Sequence, residues 1–350
     1  MARILYAVHG TGHGHAIRAL TVARHFREHE FLMISHGAGA DLLRPEFPVE
    51  ECPSLITVVK AHQVAGAATV FANLGILLQS RRVLARLRDI INHFRPQVAL
   101  TDYEFFLPLA CRKARLPCLS LDHQHVLTCS RHQVPLSQWS ASFVTRQVVA
   151  GLFSWSDAFL VTSFFRPPVK PGLTGVRLLP PLLRESVLAR SPQPGEHVVA
   201  YQGYATFKRF FPFLQAIHRQ VLVYGFDRDG ADGNLVFRRH SEEGFLNDLA
   251  SCAYVVCGGS HSLLSEALYY GKPVLSFPIR GAFEQYLNAF YVDRLGYGCM
   301  LTGLKPDPAL IPAFEARLPD FQDAIRREEF LGNPEIFRHL DYFIHHHTLL

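Results

Sequence analysis

The chain has 350 residues, of which 49% are hydrophobic and 19% are charged, and its net charge is +5. This length and apolar content predict two globular domains with buried cores. No stretch reaches the roughly 20 uncharged apolar residues of a membrane-spanning helix, and no basic tail of the kind that binds nucleic acid is present. The seven cysteines show no Cys-x-x-Cys spacing, which argues against a disulfide framework or a thiolate zinc site. We expect a cytoplasmic protein, and a position at the inner face of the membrane stays open.

The first element is a short apolar strand over residues 4–8, and the glycine-rich run HGTGHGHAIRAL that follows it opens a helix. A strand, such a turn and a helix bring backbone N–H groups close to a phosphate or a sugar, so Gly12 and Gly14 are candidate donor contacts. The spacing differs from the dinucleotide fingerprint, because His15 interrupts it and no acidic residue ends the next strand, FLMIS. A nicotinamide cofactor is therefore not expected.

Further along, residues 74–95 show a helical pattern with an apolar face and arginines elsewhere. The residues on that face are Leu77, Leu84, Leu87, Ile91 and Phe94. The pattern predicts one helix that buries this face in a core. Its arginine surface leaves open a contact with anionic lipid.

Polar residues follow the next predicted strand, QVALTD. Ligands of parallel sheets gather at the carboxyl ends of the strands, which makes Asp102 and Glu104 candidate site residues. Asp102 could orient His15 and fix its tautomer, and it could equally cap a helix. Glu104 is a candidate acceptor contact.

The run Asp122-His123-Gln124-His125 ends the strand after that. Its position makes His123 and His125 candidate acceptor contacts, with His13 as a further one. A rival chemistry is open here, because the two His-x-His pairs, His13 with His15 and His123 with His125, could bind zinc in a hydrolase.

The order of apolar runs and helical patterns predicts an α/β fold with two doubly wound, Rossmann-like parallel-sheet domains facing a cleft. The first domain is expected over residues 1–170 and the second over 186–325, with a proline-rich linker near 166–185. The tail, 326–350, has the pattern of a helix that packs back on the first domain.

The most informative stretch is 257–289, CGGSHSLLSEALYYGKPVLSFPIRGAFEQYLNA. A buried strand there ends in a glycine turn that opens a helix, and a helix N-terminus attracts a diphosphate. Glu266 lies about one turn into that helix, where a carboxylate can accept both hydroxyls of a ribose. The candidate donor contacts of this stretch are Gly258, Gly259, Ser260, His261, Ser262, Glu266, Arg280, Glu284 and Gln285.

At these residues the chain resembles the GT-B glycosyltransferases that use UDP-sugars, and among them the group of the lipid II N-acetylglucosaminyltransferase. The resemblance implies that Glu266 binds the ribose and that Glu284 and Gln285, ahead of a Tyr-x-Asn-Ala run, contact the sugar hydroxyls. The lipid II enzyme has two glutamines at the latter pair, so the donor sugar, hexose or N-acetylhexosamine, stays open.

The N-terminal half carries the same resemblance in the pattern Gly12-x-Gly14-His15-x-x-Arg18. It implies that His15 faces the reacting centre, as the base or as a ligand of the transition state. The resemblance extends to Gly203 and Tyr204, at a loop whose backbone meets the donor diphosphate, and to His240, where related enzymes hold the uracil.

The function that the resemblance implies is transfer of a sugar from a UDP-sugar to a hydroxyl acceptor, free or lipid-linked, for example in cell-envelope or glycolipid synthesis. Inversion at the anomeric carbon is expected, with no cofactor and no obligatory metal. A sugar-nucleotide epimerase of the same fold and a non-catalytic sugar-nucleotide sensor remain as alternatives, beside the metal-dependent hydrolase.

Overall fold

A computed structural model describes residues 1–201, 210–239, 241–303 and 306–350 of the chain. The fold consists of two units. Unit 1 comprises Met1–Val58, Ala65–Arg184 and Leu331–Leu350, and unit 2 comprises Val59–Val64 and Glu185–Phe330. The main change of unit therefore falls at the end of the proline-rich segment, and one short piece of the N-terminal half, Val59–Val64, belongs to unit 2.

Sixteen strands are found within the described residues. They are β1 (Arg3–Val8), β2 (Glu30–Ser35), β3 (Val49–Glu51), β4 (Val59–Lys60), β5 (Gln63–Val64), β6 (Val98–Asp102), β7 (Cys118–Asp122), β8 (Ala158–Thr162), β9 (Val176–Leu179), β10 (Val198–Tyr201), β11 (Val221–Tyr224), β12 (Gly230–Asp232), β13 (Leu235–Phe237), β14 (Tyr254–Cys257), β15 (Val274–Ser276) and β16 (Gly298–Met300).

The same residues form fifteen α-helices. They are α1 (Gly14–His25), α2 (Gly37–Leu43), α3 (Gly66–Leu78), α4 (Ser80–Phe94), α5 (Phe106–Ala114), α6 (Val126–Cys129), α7 (Trp139–Val148), α8 (Glu185–Leu188), α9 (Phe211–Gln215), α10 (Glu242–Ser251), α11 (His261–Tyr269), α12 (Phe283–Arg294), α13 (Leu310–Glu315), α14 (Leu318–Arg326) and α15 (Asn333–His346). A 3₁₀ turn, Leu136–Gln138, precedes α7, and one π-helical stretch, Val149–Phe153, follows it.

Unit 1 is built on a seven-stranded parallel sheet with the order β3-β2-β1-β6-β7-β8-β9. The strand order reverses between β1 and β6, where Val8 pairs with Asp102 at the last position of both strands. Ligands of open α/β sheets bind outside the carboxyl ends at such a reversal. The residues that follow Val8 and Asp102 therefore lie where a ligand of this unit is expected to bind.

Unit 2 repeats the plan with the order β12-β13-β11-β10-β14-β15-β16. All neighbours are parallel except the β12–β13 pair. Here the order reverses between β10 and β14, so the glycine turn after Cys257 lies at the equivalent place. Fully apolar runs such as Val198–Ala200 and Tyr254–Cys257 form these strands because helices cover both faces of a parallel sheet.

The C-terminal helix α15 belongs to the core of unit 1. Its apolar side chains Ile336, Leu340 and Phe343 are fully buried beside residues of β1 and α1. The side chain of Asn333, at the start of this helix, bonds both backbone groups of Leu183 at 2.9 and 2.7 Å. The chain thus returns to unit 1 after completing unit 2.

The single helix that the sequence predicts over 74–95 is two helices in the structure, α3 and α4. Leu87 and Ile91 of α4 are buried in a core that includes Phe106, in agreement with the predicted apolar face. The prediction was wrong for Leu77, which lies in the last turn of α3 and is exposed. Neither α3 nor any other helix within the described residues combines the length and the apolar content of a membrane span. Apolar periodicity identifies an apolar face, but it does not show whether anything covers that face.

Candidate active site

The reversal point of the unit 1 sheet holds a histidine paired with a buried carboxylate. Nδ1 of His15, in the first turn of α1, lies 2.7 Å from Oδ1 of Asp102, the last residue of β6. Asp102 is completely buried, whereas His15 keeps 14% of its side chain exposed. Because a carboxylate accepts the bond, Nδ1 carries a hydrogen, and in the neutral form of the ring Nε2 has a lone pair that can accept a proton.

Arg18 occupies the other side of the same carboxylate. It donates from Nε to Oδ2 of Asp102 at 2.6 Å and from a terminal nitrogen to Oδ1 at 3.4 Å, while its other terminal nitrogen bonds Oγ1 of Thr162 at 3.2 Å. Burial lowers the pKa of Arg18, but the charge of Asp102 and the bond to it outweigh this and raise it. Arg18 is part of the pattern Gly12-x-Gly14-His15-x-x-Arg18, but no local pattern marks its pairing with Asp102, which lies 84 residues away.

Aromatic rings surround His15 in the structure. The ring of His9, just after β1, packs edge-on against the ring of His15, with centroids 5.3 Å apart. The ring of His36 also packs edge-on against His9, with centroids 5.9 Å apart. Tyr103 stacks nearly parallel to His15 at 6.2 Å. Burial, followed by the charges of His15 and His36, lowers the pKa of His9 well below its ordinary value. His9 is therefore neutral at neutral pH and adds no positive charge beside the candidate base.

The second predicted cluster, at the end of β7, forms its own buried network. Asp122 accepts from the backbone N–H of His125 at 2.9 Å and from its Nδ1 at 2.6 Å, and the hydroxyl of Ser120 bonds it at 2.5 Å. Burial raises the pKa of Asp122, but the charge of His125 and these bonds lower it below its ordinary value. His123, also buried, bonds the carbonyl oxygen of Thr162 at 2.8 Å. These contacts hold the loop after β7 in one conformation.

The remaining predicted residues of unit 1 differ in exposure. Glu104 is buried, and its two carboxylate oxygens accept the N–H groups of Phe106 and Leu107 at 2.9 and 2.7 Å, which caps α5. Burial raises the pKa of this carboxyl. Gly12 and His13 are exposed at the mouth of the glycine turn, and Gly14 begins α1.

In unit 2 the structure brings three predicted donor elements together. A Cβ on Gly259 would lie 2.2 Å from the carbonyl oxygen of Gln285, so only glycine allows the turn after β14 to approach α12 this closely. Asn288 donates to the carbonyl oxygen of Gly259 at 2.9 Å and to Oε1 of Glu284 at 3.2 Å. The side-chain oxygen of Gln285 accepts from the backbone of Ile279 at 3.2 Å.

The helix that follows this turn, α11, starts after Ser260, which is exposed. His261 and Glu266 lie on the helix and are buried, and Ser262 is half-buried. The N-terminal N–H groups of α11 therefore open toward the glycine turn, with no acidic residue in the first turn to oppose an anion.

The loop that carries Arg280 is fixed by a hairpin that sequence reasoning missed. Strands β4 and β5 place the ring of His62 on Phe277, with centroids 4.8 Å apart and planes 7° apart. The backbone N–H of Arg280 bonds the carbonyl oxygen of His62, and that of Val64 bonds the carbonyl oxygen of Arg280, at 3.0 and 2.9 Å. Strands of two residues have too little pattern to be recognised in a sequence.

Three further predictions, Gly203, Tyr204 and His240, lie outside the described residues. Among the residues that are described, no three histidine, cysteine, aspartate or glutamate side chains are close enough to hold a metal ion. An Asp-x-Asp triplet, Asp227-Arg228-Asp229, follows β11, and Asp229 pairs with Arg239 at 3.1 Å. Carboxylates in this spacing can bind a metal–diphosphate complex.

Comparison with known proteins shows to which family a chain of this architecture belongs. The family model described as "Glycosyl transferase family 1" matches residues 2–319. The chain belongs to glycosyl transferase family 1. An "Uncharacterized glycosyltransferase" of Methanosarcina mazei is 23% identical and covers 95% of this chain and 94% of its own length. One of Methanosarcina acetivorans is 24% identical, with 91% and 90% covered.

Solved structures agree with this family in fold. The calicheamicin glycosyltransferase CalG4 matches with a TM-score of 0.68 and 17% identity over 99% of both chains. MurG of Acinetobacter baumannii matches with a TM-score of 0.61 and 13% identity over 96% of this glycosyltransferase and 98% of its own chain. The predicted fold class, two parallel-sheet domains of GT-B type, is confirmed.

The comparisons also confirm the enzyme class that the sequence predicted. As a glycosyltransferase, the protein takes a nucleotide-sugar donor and an acceptor, and neither the epimerase nor the metal-dependent hydrolase is favoured.

Proposed function

We propose that this glycosyltransferase transfers a sugar from a UDP-sugar to a hydroxyl acceptor by a single displacement that inverts the anomeric carbon. The observation that supports this most directly is the bond between Nδ1 of His15 and the buried Asp102. The bond directs Nδ1 toward the carboxylate and leaves Nε2 as the ring nitrogen available to an acceptor hydroxyl, which is the arrangement that a general base requires. Arg18 holds the carboxylate from the opposite side.

In the proposed reaction, Nε2 of His15 takes the proton of the acceptor hydroxyl while that oxygen bonds the anomeric carbon. The bond from this carbon to the diphosphate oxygen breaks, and its electron pair leaves with UDP. Asp102 stabilises the imidazolium that forms. Proton transfer of this kind contributes roughly 10²–10⁴ in rate.

Acceptor contacts are proposed in unit 1. His13 is exposed beside the glycine turn and is the candidate for direct contact. His123, His125 and Glu104 are buried and already bonded, so they act by holding the loops after β6 and β7 in shape.

Donor contacts are proposed in unit 2. The N-terminus of α11 carries roughly +0.5 charge and receives the diphosphate, with Arg280 nearby in the chain on a loop that the hairpin holds. Glu266 is proposed for the ribose, and Glu284 and Gln285 for the sugar. Asn288 couples Glu284 to the glycine turn, so the sugar and diphosphate contacts are positioned as one structure.

Calorimetry with UDP and with UDP-sugars tests the donor assignment. Glu266→Ala should weaken UDP binding by about 1–3 kcal/mol, because hydrogen bonds to a charged group are lost. Glu243→Ala, an exposed glutamate of the same unit, is the matched control and should change nothing. Glu284→Ala should instead weaken binding of UDP-glucose or UDP-N-acetylglucosamine and spare UDP.

The nucleobase of the donor and the type of reaction are tested in two separate experiments. Preference for dTDP- or GDP-sugars over UDP-sugars would contradict the UDP assignment while leaving the enzyme class intact. Incubation of labelled UDP-sugars alone and with a panel of hydroxyl compounds separates transfer from epimerisation. A changed sugar nucleotide formed without any acceptor would overturn the proposed transfer.

A further inference from the structure

Tyr103, the residue after Asp102, has a strained backbone. Its φ is +51°, in the left-handed region that favours glycine and that a bulky side chain rarely adopts. Arg95, Arg115 and His347 also have positive φ, but each of them ends a helix, where this conformation is common. Tyr103 instead follows the buried strand β6. A residue keeps such a conformation only where its surroundings impose it.

The strained conformation lets two consecutive side chains reach one ring. Successive side chains of an extended strand point to opposite faces, so Asp102 and Tyr103 would diverge if β6 continued. In the structure both lie against His15. The carboxylate of Asp102 accepts from Nδ1 at 2.7 Å, and the ring of Tyr103 stacks on the imidazole, with centroids 6.2 Å and planes 12° apart. The bend at Tyr103 therefore brings an aromatic ring to the histidine that Asp102 already holds.

Neighbouring elements hold Tyr103 in this position. Its ring stacks on Phe153, with centroids 4.1 Å and planes 13° apart. Phe153 is buried and ends the π-helical stretch Val149–Phe153, a rare backbone form that is frequent at functional sites. On the other side of Tyr103 in the chain, the carboxylate of Glu104 accepts two backbone N–H groups of α5. The backbone just after Tyr103 is therefore fixed as well.

The rings around His15 complement its bond to Asp102. A single hydrogen bond fixes where Nδ1 lies but leaves the imidazole free to tilt about the line of that bond. Tyr103 stacks on one side of the ring, and His9 packs edge-on against it, with planes 76° apart. The rings of Tyr103 and His9 also pack against each other, with centroids 5.9 Å apart. Together they restrict the direction in which Nε2 of His15 points.

We propose that Tyr103 is a positioning residue for His15, whose strained backbone places an aromatic ring that keeps the imidazole aligned for proton transfer. This role rests on the proposed function, in which His15 is the base. A proton-transfer site needs its groups held within about 0.5 Å and 10–20° of the productive geometry. The ring of Tyr103 makes the contacts with Phe153 and His15, so the ring and not the hydroxyl carries the role.

Exchange of the Nδ1 hydrogen of His15 tests the geometry without any substrate. In protein with isotope-labelled histidine, the resonance of this hydrogen is assigned by its loss in His15→Gln. It should exchange with water at least about tenfold faster in Tyr103→Ala than in the parent, because a tilting ring breaks its bond to Asp102 more often. Tyr103→Phe keeps the ring and should exchange like the parent. Equal exchange in the parent and in Tyr103→Ala, or no protected Nδ1 hydrogen in the parent, would overturn the proposal.

The kinetic experiment follows release of UDP from UDP-glucose and from UDP-N-acetylglucosamine, with water or glycerol as the acceptor. Tyr103→Ala should lower kcat by about 10–100-fold and change KM for the donor only a few-fold, because misalignment acts in the transition state. Tyr103→Phe should keep kcat near that of the parent. In a His15→Ala background, Tyr103→Ala should cost little more, since residues that act as one unit are non-additive. Losses that multiply would indicate general damage to the site and exclude a role through His15.

Thermal unfolding separates strain from packing. Tyr103→Ala and Tyr103→Gly both remove the ring, but only glycine adopts positive φ freely, so the glycine variant should unfold at the higher temperature while both turn over slowly. The matched control is Arg115→Gly, since Arg115 is exposed and has a φ of +56°. It should unfold no earlier than the parent and leave turnover unchanged. A glycine variant of Tyr103 no more stable than the alanine variant would contradict the strained backbone on which the proposal depends.

Different results would remove the proposed base and the proposed role of Tyr103. Slow turnover in His15→Ala together with normal turnover and normal exchange in Tyr103→Ala would remove the positioning role alone. Near-normal turnover in His15→Ala would remove the base and the positioning role with it. Absence of UDP release from both donors would contradict the UDP-sugar, and the exchange of the Nδ1 hydrogen would still decide on Tyr103.

Discussion

Replacing Asp102 by asparagine should affect catalysis and stability for two separate reasons. Asparagine offers an amide N–H where the carboxylate oxygen accepted a bond from Nδ1 of His15. The imidazole would then accept at Nδ1 and carry its hydrogen on Nε2, the nitrogen proposed to take the proton. Turnover should fall by about 10²–10⁴, while UDP affinity stays within a few-fold.

The stability effect comes from Arg18. Its guanidinium is buried, and Asp102 is the charged group that it pairs with. Removing one partner of a buried ion pair leaves an uncompensated charge and costs about 3–5 kcal/mol. For a unit of this size that corresponds to a fall in the midpoint of thermal unfolding of roughly 6–20 °C.

A second substitution separates the two effects. In the double variant Asp102→Asn with Arg18→Met, the unpaired charge is gone, so most of the lost stability should return. Turnover should stay low, because His15 still lacks its carboxylate. Calorimetric unfolding and turnover with a UDP-sugar are measured for the parent, both single variants and the double variant.

Two results would refute this reasoning. A double variant no more stable than Asp102→Asn would show that the charge of Arg18 is not the source of the loss. Near-normal turnover in Asp102→Asn would show that the bond between Asp102 and His15 does not determine which ring nitrogen of His15 carries the hydrogen.

Three further predictions concern the base, the metal and pH. His15→Ala should lower turnover by about 10²–10⁴ and leave donor affinity within a few-fold, whereas His13→Ala should cost less; turnover near that of the parent in His15→Ala would exclude it as the base. Elemental analysis should find far less than one zinc per chain and EDTA should leave activity intact, and stoichiometric metal with loss on chelation would contradict this. Because the pKa of His9 is lowered in the folded state, His9 of the unfolded chain takes up a proton first as the pH falls. The free energy of unfolding should therefore decrease below about pH 6.5, by up to about 1.4 kcal/mol per pH unit for this group. In His9→Gln the stability curve should be flatter over that range, and an unchanged slope in urea unfolding between neutral and acidic pH would remove His9 as a cause.

The elements that the sequence predicted well are those with a dense local signal. The apolar runs of β1, β6 and β14 specify buried parallel strands, and a glycine-rich turn follows β1 and β14 where the sequence predicts one. The sequence could offer the pairing of His15 with Asp102 as one of two readings, because Asp102 ends a predicted strand and His15 lies just after another, and such strand ends gather at one edge of a parallel sheet.

What the sequence did not reveal depends on contacts between distant residues. The bond from Arg18 to Thr162 joins positions 144 apart, and no local pattern marks it. Asn73 of α3 bonds the backbone of Ile56, and Leu74 and Leu78 of the same helix are exposed, although its apolar spacing is that of a core helix. A single histidine after a strand is common, and only the rings of His15 and His36 beside it distinguish His9.

The excursion of Val59–Val64 into unit 2 has a consequence for protein engineering. The chain passes from one unit to the other after Val58, Val64, Arg184 and Phe330. A chimera that exchanges unit 2 by cutting once near residue 184 would leave the hairpin behind and transplant the Arg280 loop without the backbone that holds it. An exchangeable module of this protein therefore has to be defined by three-dimensional contacts and carry residues 59–64 along with 185–330.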